Sequence, residues 1–326
     1  MAGSVKLLNI DPVNILAMRA TADALIVNAL TFGAPGIAPV VGEVKAAHAT
    51  VLAGASEVAS AWSPILSALG YQVNSKAVLI HSSPEVQFTD VVTGKAKQRE
   101  LADTLFVIDL IKAGEIADRR AALTQAKLAS KTGHISLGKS GKAQRNLYMH
   151  WPAFTMPRGY GQHPRDLHDT SCIGLAVDGC RFGGIDFYGS RRDWRQILPA
   201  QKMNARGKPS LGQSLLEMAC GTAGRAAISG GKDPWSELVD ELLKISFGIT
   251  YPSSGCLNRH RETVSLVIAE SHSIVLRTSS HFAAADLPPG RDSLGPEEAE
   301  SPQGISFLHV ELVEAEERSR IPTQPG

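Results

Sequence analysis

Two short apolar stretches decide the fold: Arg-Glu-Leu-Ala-Asp-Thr-Leu-Phe-Val-Ile-Asp at residues 99–109 and Ala-Ala-Leu-Thr-Gln-Ala-Lys at residues 121–127. Apolar runs of this length, bounded by polar residues, are typical of buried β-strands. The pattern therefore predicts strands over residues 104–110 and 121–126. A polar turn over residues 112–120 would let the two strands pair as a hairpin.

Each of these strands carries polar residues at one end, where a buried strand should have none. Asp103 lies where the first strand begins, whereas Gln125 and Lys127 lie at the end of the second. Because side chains alternate across a strand, Gln125 and Lys127 must project from the same face. In a hairpin, the carboxyl group, the amide and the ammonium group would converge at one end.

This combination of side chains suits metal-dependent hydrolysis of a phosphodiester. Carboxylate and amide oxygens are ligands for Mg²⁺, and Mn²⁺ accepts the same donors. A bound ion acidifies a water molecule and screens the charge that develops on the phosphate, while a lysine can orient that water. Asp103 and Gln125 are therefore candidate metal ligands, Lys127 is the candidate water-positioning residue, and Glu100 is a candidate further ligand.

Asp103 followed by Gln125, one spacer residue and Lys127 resembles the PD-(D/E)xK nuclease superfamily, and the Gln-x-Lys form is similar to the Mrr-type restriction endonucleases. The resemblance covers roughly residues 84–155. It implies an α/β protein with a restriction-endonuclease-like mixed sheet flanked by helices, which cuts DNA with Mg²⁺. It also suggests a role in defence against foreign DNA.

The chain divides into three expected regions. Residues 1–75 form a helical N-terminal segment that supplies the first core helix, residues 76–180 form the nuclease-like core, and residues 181–326 form a C-terminal α+β extension. The pattern leaves open whether this extension is continuous with the core. In the first region, a helix is predicted from Asp11-Pro12 to about Leu30.

Further elements follow from periodicity and from the positions of Pro and Gly. A long helix over residues 41–69, interrupted near Pro64, contains Glu57 as a candidate additional acid. Other helices are expected at residues 142–149, 211–225 and 234–247. Strands are expected at residues 84–89, 172–177, 263–269, 273–277 and 305–313.

The charge is small overall but unevenly spread. The net charge of +1 over 326 residues gives no strong basic field. Residues 81–145, however, contain eleven Lys and Arg against seven Asp and Glu, which fits a substrate that carries phosphate. Four basic side chains after the second strand are expected to approach the DNA backbone: Lys131, Lys139, Lys142 and Arg145. A basic aromatic patch at residues 191–195 could track phosphates as well.

Composition also bears on compartment. The four cysteines are spaced too widely for a zinc clip and are too few for a secreted disulfide scaffold. No secretory signal pattern and no run of eighteen apolar residues occurs in the sequence. We therefore expect reduced cysteines and a cytoplasmic protein that does not associate with membranes.

One competing motif is present. Gly133-His-Ile-Ser-Leu-Gly138-Lys139-Ser140 matches the phosphate-binding P-loop pattern, in which backbone amides and a lysine hold the phosphates of a nucleotide. This motif works only where the loop leaves a strand directly and enters a long helix. A P-loop NTPase is therefore an alternative prediction, although a basic loop beside a nuclease site is favoured.

A third reading is a binding or scaffold protein that keeps the nuclease fold without catalysis, because Gln125 removes one negative ligand. RNA is not excluded as the substrate. Because one site nicks only one strand, the nuclease reading also anticipates a homodimer or a partner protein of a multi-component system.

Overall fold

The structure is a computed structural model. It describes residues 8, 10–33, 42–51, 55–78, 84–157, 159–168, 179–188, 192–248, 269–270 and 305–315. The predicted strands over residues 172–177 and 273–277, and most of the one over residues 263–269, lie outside the described residues.

The described part of the chain contains helices and strands in mixed order. The helices are α1 (Pro12–Phe32), α2 (Glu43–Ala49), α3 (Ala55–Ala68), α4 (Gly138–His150), α5 (Leu211–Ala219) and α6 (Pro234–Gly248). The strands are β1 (Tyr71–Val78), β2 (Glu85–Thr89), β3 (Ala96–Glu100), β4 (Thr104–Lys112), β5 (Glu115–Leu128), β6 (Phe154–Thr155), β7 (Cys180–Asp186), β8 (Asp193–Ile197), β9 (Arg225–Ala226), β10 (Ala269–Glu270) and β11 (Ser306–Glu314).

The main sheet mixes parallel and antiparallel strands. Its order is β10-β1-β11-β4-β5-β7-β8, and β9 pairs with β5 beside this path. β11 runs parallel to β4 and β7 runs parallel to β5, whereas β4 and β5 are antiparallel. β2, β3 and β6 form a separate three-stranded sheet. The chain is therefore a mixed α/β protein with a mixed sheet flanked by helices, as the sequence predicted.

Strand β11 comes from the end of the chain but lies inside the main sheet, between β1 and β4. Its register places Phe307 opposite Leu105 and Val310 opposite Ile108. Residues 306–310 of β11 are buried on both faces of the sheet, which fits an interior strand. The last strand of the predicted C-terminal extension is thus part of the same sheet as the hairpin.

The hairpin of β4 and β5 differs from the prediction in its turn. The polar segment over residues 112–120 is not a long loop, because β5 already begins at Glu115. Ala113 and Gly114 have positive φ values of 50° and 79°, which allows a two-residue turn of the kind that suits twisted antiparallel strands. The first half of β5 contains mostly polar side chains, so a prediction based on apolar runs missed it.

Two further predictions on the N-terminal side are corrected. The long helix predicted over residues 41–69 is described as two helices, α2 and α3, and α3 continues through Pro64, where the interruption was expected. The strand predicted over residues 84–89 is β2, which belongs to the small sheet and not to the main one. Helix α1 agrees with its prediction: Asp11 caps it by accepting hydrogen bonds from the amides of Val13 and Asn14 at 2.9 and 3.0 Å.

Alternation along the central strands divides the core into two layers. Even-numbered residues of β4, such as Phe106 and Ile108, pack in one cluster with residues of α1, α3 and α5. Odd-numbered residues, such as Leu105 and Val107, pack in the other with residues of α4 and α6. The Trp62 indole ties α3 to α1 by donating a hydrogen bond to the Met18 carbonyl at 2.9 Å.

Among the described helices, α1 is long and apolar enough to cross a membrane by length and composition alone. The core helix of a soluble protein passes the same test, and Met18, Ala22, Ile26 and Leu30 of α1 belong to the core. The cytoplasmic location and the lack of membrane association stay predictions.

A buried ionic network joins the far end of the hairpin to β11 and α6. Arg119 donates two hydrogen bonds to Asp109, both at 2.7 Å, and a third to Asp240 at 2.6 Å. The His309 imidazole contacts Asp109 at 2.9 Å. Burial opposes the charged carboxylate, but the hydrogen bonds from Arg119 and His309 outweigh burial and hold the pKa of Asp109 below its ordinary value.

We expect Asp109→Asn to destabilise the fold by roughly 3 kcal/mol, because it leaves the buried Arg119 charge with half of its partners. Urea unfolding of wild type and variant measures this change. The matched control is Glu314→Gln, which removes an exposed acid paired with Lys112 at 4.0 Å and should cost less than about 0.5 kcal/mol. Equal effects of the two changes would contradict a stabilising role for the network.

Candidate functional site

The register of β4 and β5 brings the polar residues of the hairpin together. Thr104 lies opposite Thr124, and the Asp103 amide extends the ladder by donating to the Thr124 carbonyl at 3.1 Å. Asp103 therefore lies beside Gln125, one residue beyond the strand pair. Convergence of these residues at one end of the hairpin is what the alternation of side chains predicted.

The Asp103 carboxylate is held by its neighbours on β5. One oxygen, Oδ2, accepts hydrogen bonds from the Gln125 amide nitrogen at 2.5 Å and from the Ala126 backbone amide at 2.6 Å. The Glu100 carboxyl group lies near enough for the charge of Asp103 to raise its pKa. Both acids lie at the point where the chain passes from the small sheet into β4.

Lys127 faces a residue that the sequence did not point to. Its ammonium group donates a hydrogen bond to Glu43, in the first turn of α2, at 2.7 Å. Glu57, the candidate additional acid of the nuclease site, is exposed on α3 and does not line the cavity described below. The Lys127–Glu43 pair holds the end of a long, flexible side chain in place. Less conformational entropy is therefore lost when Lys127 binds a further group.

The two neighbouring carboxyl groups resist ionisation. Burial and the charge of Asp103 raise the pKa of Glu100 to about 8, although Lys127 acts in the opposite direction. Burial raises the pKa of Asp103 to about 7, against the lowering effects of Lys127 and of the Ala126 amide. Two acids that share one site cannot both lose their protons easily without a compensating positive charge.

A cavity of about 310 Å³ opens beside these residues. Glu100, Gln125 and Lys127 line it, together with Glu43 and Arg99. Its opposite wall is the first part of α4, which contributes Leu137, Ser140, Gly141 and Gln144. Asp103 is not part of this lining, but it accepts a hydrogen bond from Gln125, which is.

Helix α4 also fixes the backbone that carries the two acids. The Gln144 amide nitrogen donates to the carbonyl groups of Glu100 and Leu101 at 2.7 and 3.0 Å. One helical turn later, the Tyr148 hydroxyl donates to the same Leu101 carbonyl at 2.6 Å. The site is therefore supported by a helix on one side and by the hairpin on the other.

Gln125 leaves one polar atom unused. Its side chain is only 4% exposed, and its carbonyl oxygen Oε1 is buried without a hydrogen-bond partner. A buried acceptor of this kind costs free energy unless a ligand satisfies it. This oxygen and the carboxyl oxygens of Glu100 and Asp103 are hard donors of the type that Mg²⁺ or Mn²⁺ accepts.

Among the described residues, no group of three His, Cys, Asp or Glu side chains forms a ready-made metal centre. The set found here contains two carboxyl groups and one amide. It therefore suits an ion that keeps most of its water molecules and takes few protein ligands, as Mg²⁺ does.

Comparison with protein-family models, with curated proteins and with solved structures finds no match.

The basic residues predicted to approach DNA are placed differently from one another. Lys139 and Lys142 are exposed on the first turns of α4. Lys131 is exposed, with its ammonium group 5.9 Å from the centre of the Tyr188 ring. Arg145 instead donates to the carbonyl groups of Pro199 and Gln201 at 2.8 and 3.3 Å, so much of its guanidinium group serves the fold.

The basic aromatic patch over residues 191–195 does not form an open phosphate-binding surface in its described part, residues 192–195. Trp194 is 1% exposed and belongs to the core. Arg192 donates to the Leu30 carbonyl at 2.5 Å, and Arg195 pairs with Asp193 on its own strand.

Two backbone amides of the P-loop pattern over residues 133–140 are used within the fold. The Gly133 amide donates to the Ser130 carbonyl and the Ile135 amide donates to the Met203 carbonyl, at 2.8 and 3.0 Å. These two amides are therefore not available to a phosphate, and the P-loop NTPase stays an alternative prediction. A Cβ atom at Gly133 would lie 2.7 Å from Cγ of Arg206, so glycine is needed there for close packing.

We expect the metal-free protein to lose stability as the pH rises from about 4.5 towards 8. The folded state keeps protons on Glu100 and Asp103, with pKa values of about 8 and 7, whereas the unfolded chain releases them near 4.5 and 3.8. Glu100→Gln should therefore be increasingly more stable than wild type over this range. Urea unfolding in EDTA at several pH values measures the difference.

Glu115→Gln, at an exposed position of the same hairpin, provides the control and should give a difference that does not vary with pH. If the stability difference between Glu100→Gln and wild type also stays constant with pH, the raised pKa of Glu100 is contradicted.

Proposed function

We propose that this protein is a metal-dependent nuclease that hydrolyses phosphodiester bonds of DNA. The observation that carries the proposal is the Gln125 carbonyl oxygen, buried and unpartnered beside two carboxyl groups with raised pKa values. Acids with perturbed pKa values cluster where proteins bind ligands, and a buried acceptor beside them is a place where a ligand can bind.

Glu100, Asp103 and Gln125 would hold the ion. When bound, Mg²⁺ supplies an acidified water molecule and screens the negative charge on the phosphate. A cation at this place would also replace the protons that Glu100 and Asp103 otherwise retain. The raised pKa values and the unused amide oxygen thus have one explanation in common.

The remaining residues orient groups and hold charge. Lys127 lines the same cavity, and its ammonium group has three donors, of which Glu43 uses one at 2.7 Å. The others remain for a water molecule or for a phosphate oxygen. Glu43 therefore acts as a positioning residue, because it fixes Lys127 at the edge of the cavity.

The fold is compatible with the restriction-endonuclease-like arrangement that the sequence resembles. The hairpin of β4 and β5 carries the site, and α4 connects β5 to the parallel strand β7. We propose this finer assignment together with the function. A part in defence against foreign DNA, through a homodimer or a partner protein, follows from the resemblance alone.

We expect Asp103→Asn and Lys127→Met each to lower the rate of Mg²⁺-dependent DNA cutting by about a hundredfold or more, because each removes one group of the catalytic set. Cutting of plasmid and linear duplex DNA, with RNA in parallel, measures the effect. Lys112→Met is the matched control, because Lys112 lies at the other end of the hairpin, and it should cut like wild type.

Undiminished cutting by both site variants would refute the proposal. If wild type binds metal but cuts neither DNA nor RNA, the non-catalytic scaffold reading is correct instead.

We expect Gln125→Leu to weaken Mn²⁺ binding by about tenfold or more, because it removes the amide oxygen while it keeps much of the side-chain volume. Gln125→Glu should retain Mn²⁺ binding, since glutamate keeps an oxygen at the same place. Titration calorimetry with Mn²⁺ measures both affinities without any need for activity. Equal Mn²⁺ affinities for wild type and Gln125→Leu would show that this oxygen does not bind the ion.

A further inference from the structure

Two long stretches of the sequence carry basic residues without any acidic ones, although the net charge of the whole protein is only +1. Residues 119–165 contain nine Lys and Arg and no Asp or Glu, and residues 194–216 contain four and none. The fold brings parts of these two stretches together. A positive field concentrated on one part of a nearly neutral protein attracts a polyanion to that part.

Backbone hydrogen bonds join the segment that follows β5 to the segment that precedes α5. The Ala205 amide donates to the Gly133 carbonyl at 2.8 Å, and the Ile135 amide donates to the Met203 carbonyl at 3.0 Å. We call these joined segments the platform, which comprises residues 129–135 and 203–206. Because each segment is held by the other, the side chains that they expose have a defined spacing.

The platform and its surroundings expose basic side chains. Lys131 and Arg206 are both exposed on the platform, and Lys202 is exposed beside it. Arg206 Nη2 donates to the Lys131 carbonyl at 2.7 Å, so the two residues are held next to each other. Among the residues that the structure describes, none of these three side chains is paired with a carboxylate. Their charges are therefore available to the phosphates of a nucleic-acid strand.

An exposed aromatic ring lies next to these cations. Tyr188, just beyond the end of β7, is 60% exposed, and the Lys131 ammonium group lies 5.9 Å from the centre of its ring. The Tyr188 amide donates to the Asp186 carboxylate at 2.8 Å, which holds the backbone at this point. An open aromatic face beside cations is the combination on which the bases of a single strand stack.

The ring and the platform lie at the same edge of the sheet as the candidate site. β5 and β7 are parallel, with Lys127 opposite Gly184, so the ends of the two strands meet at this edge. Lys127 lines the cavity, and so does Leu137, two residues after the platform segment that ends at Ile135. The basic surface is therefore continuous with the wall of the cavity.

We propose that the platform and Tyr188 bind a single-stranded stretch of DNA, with phosphates on Lys131 and Arg206 and one unpaired base stacked on the Tyr188 ring. A base inside a duplex is stacked on its neighbours and cannot offer its face to a side chain, so the ring selects an unpaired base. That this strand leads into the cavity to be cut rests on the proposed function. Its binding does not.

The test measures binding by fluorescence anisotropy, with the full chain in EDTA so that nothing is cut. The probes are a DNA strand of about sixteen nucleotides, an abasic strand with the same number of phosphates, and a duplex of the same length. Wild type should bind the strand with bases about tenfold more tightly than the abasic strand, because stacking adds to the phosphate contacts.

Variants of Tyr188 separate stacking from charge. Tyr188→Leu should weaken binding of the strand with bases by about tenfold and leave binding of the abasic strand and of the duplex unchanged. Tyr188→Phe keeps the aromatic face and should bind like wild type. The ring is exposed, so both variants should keep the thermal midpoint of wild type. The control is Ile228→Ala, at an apolar side chain that is 69% exposed next to β9, and it should alter no affinity.

The charge of the platform is tested through the dependence of binding on salt. Loss of one phosphate contact in Lys131→Met should reduce the slope of log affinity against log salt concentration by about 0.7 for the single strand. Lys112→Met, at the other end of the hairpin, removes the same charge and should leave the slope unchanged.

Three results would overturn the proposed surface. The first is equal affinity of wild type for the strand with bases and for the abasic strand, or no effect of Tyr188→Leu. The second is polyglutamate that competes as well as the DNA strand, because the surface would then recognise charge alone. The third is an RNA strand that binds more tightly than the DNA strand, which would overturn the assignment to DNA.

The outcomes also separate this proposal from the nuclease assignment. Strand binding that depends on Tyr188, in a protein that cuts no nucleic acid, supports the surface and overturns the nuclease assignment. Metal-dependent cutting, with strand binding unaltered in Tyr188→Leu and Lys131→Met, overturns the surface and leaves the nuclease assignment in place.

Discussion

The antiparallel register of β4 and β5 is the constraint on which the rest of the structure depends. With Thr104 opposite Thr124, the Asp103 carboxylate reaches the Gln125 side chain and the Ala126 amide. A slip by one residue would turn every side chain of β5 to the other face and would exchange the two core layers. The tight turn at Ala113 and Gly114 and the buried alternation of both strands specify this register together.

The same hairpin carries two clusters of charge with opposite character. At the end near the turn, Asp109 is surrounded by donors from Arg119 and His309, and its pKa lies below the ordinary value. At the other end, Asp103 and Glu100 are half-buried near each other, and their pKa values are raised even though Lys127 lies close by. A satisfied ionic network is a structural feature. Acids that keep raised pKa values beside a lysine are typical of ligand sites, and this contrast favours a candidate site at this end of the hairpin.

Helix α4 connects the fold to the site in two ways. Gln144 and Tyr148, four residues apart on one face, hold the backbone carbonyls of Glu100 and Leu101. The start of the same helix forms the wall of the cavity, with amides that no side chain caps. The helix therefore positions the two acids and also presents its positive end to the space beside them.

The sequence by itself determined the strands of the hairpin, the helices α1 and α6, and the convergence of Asp103, Gln125 and Lys127, because these features depend on local periodicity and on alternation along a strand. Only the tertiary structure decided that β11 lies beside β4, that Glu43 meets Lys127, and that Arg99 and Ser140 share the cavity. These contacts join residues far apart in the chain. Their partners are selected by the packing of whole elements, which no local pattern encodes.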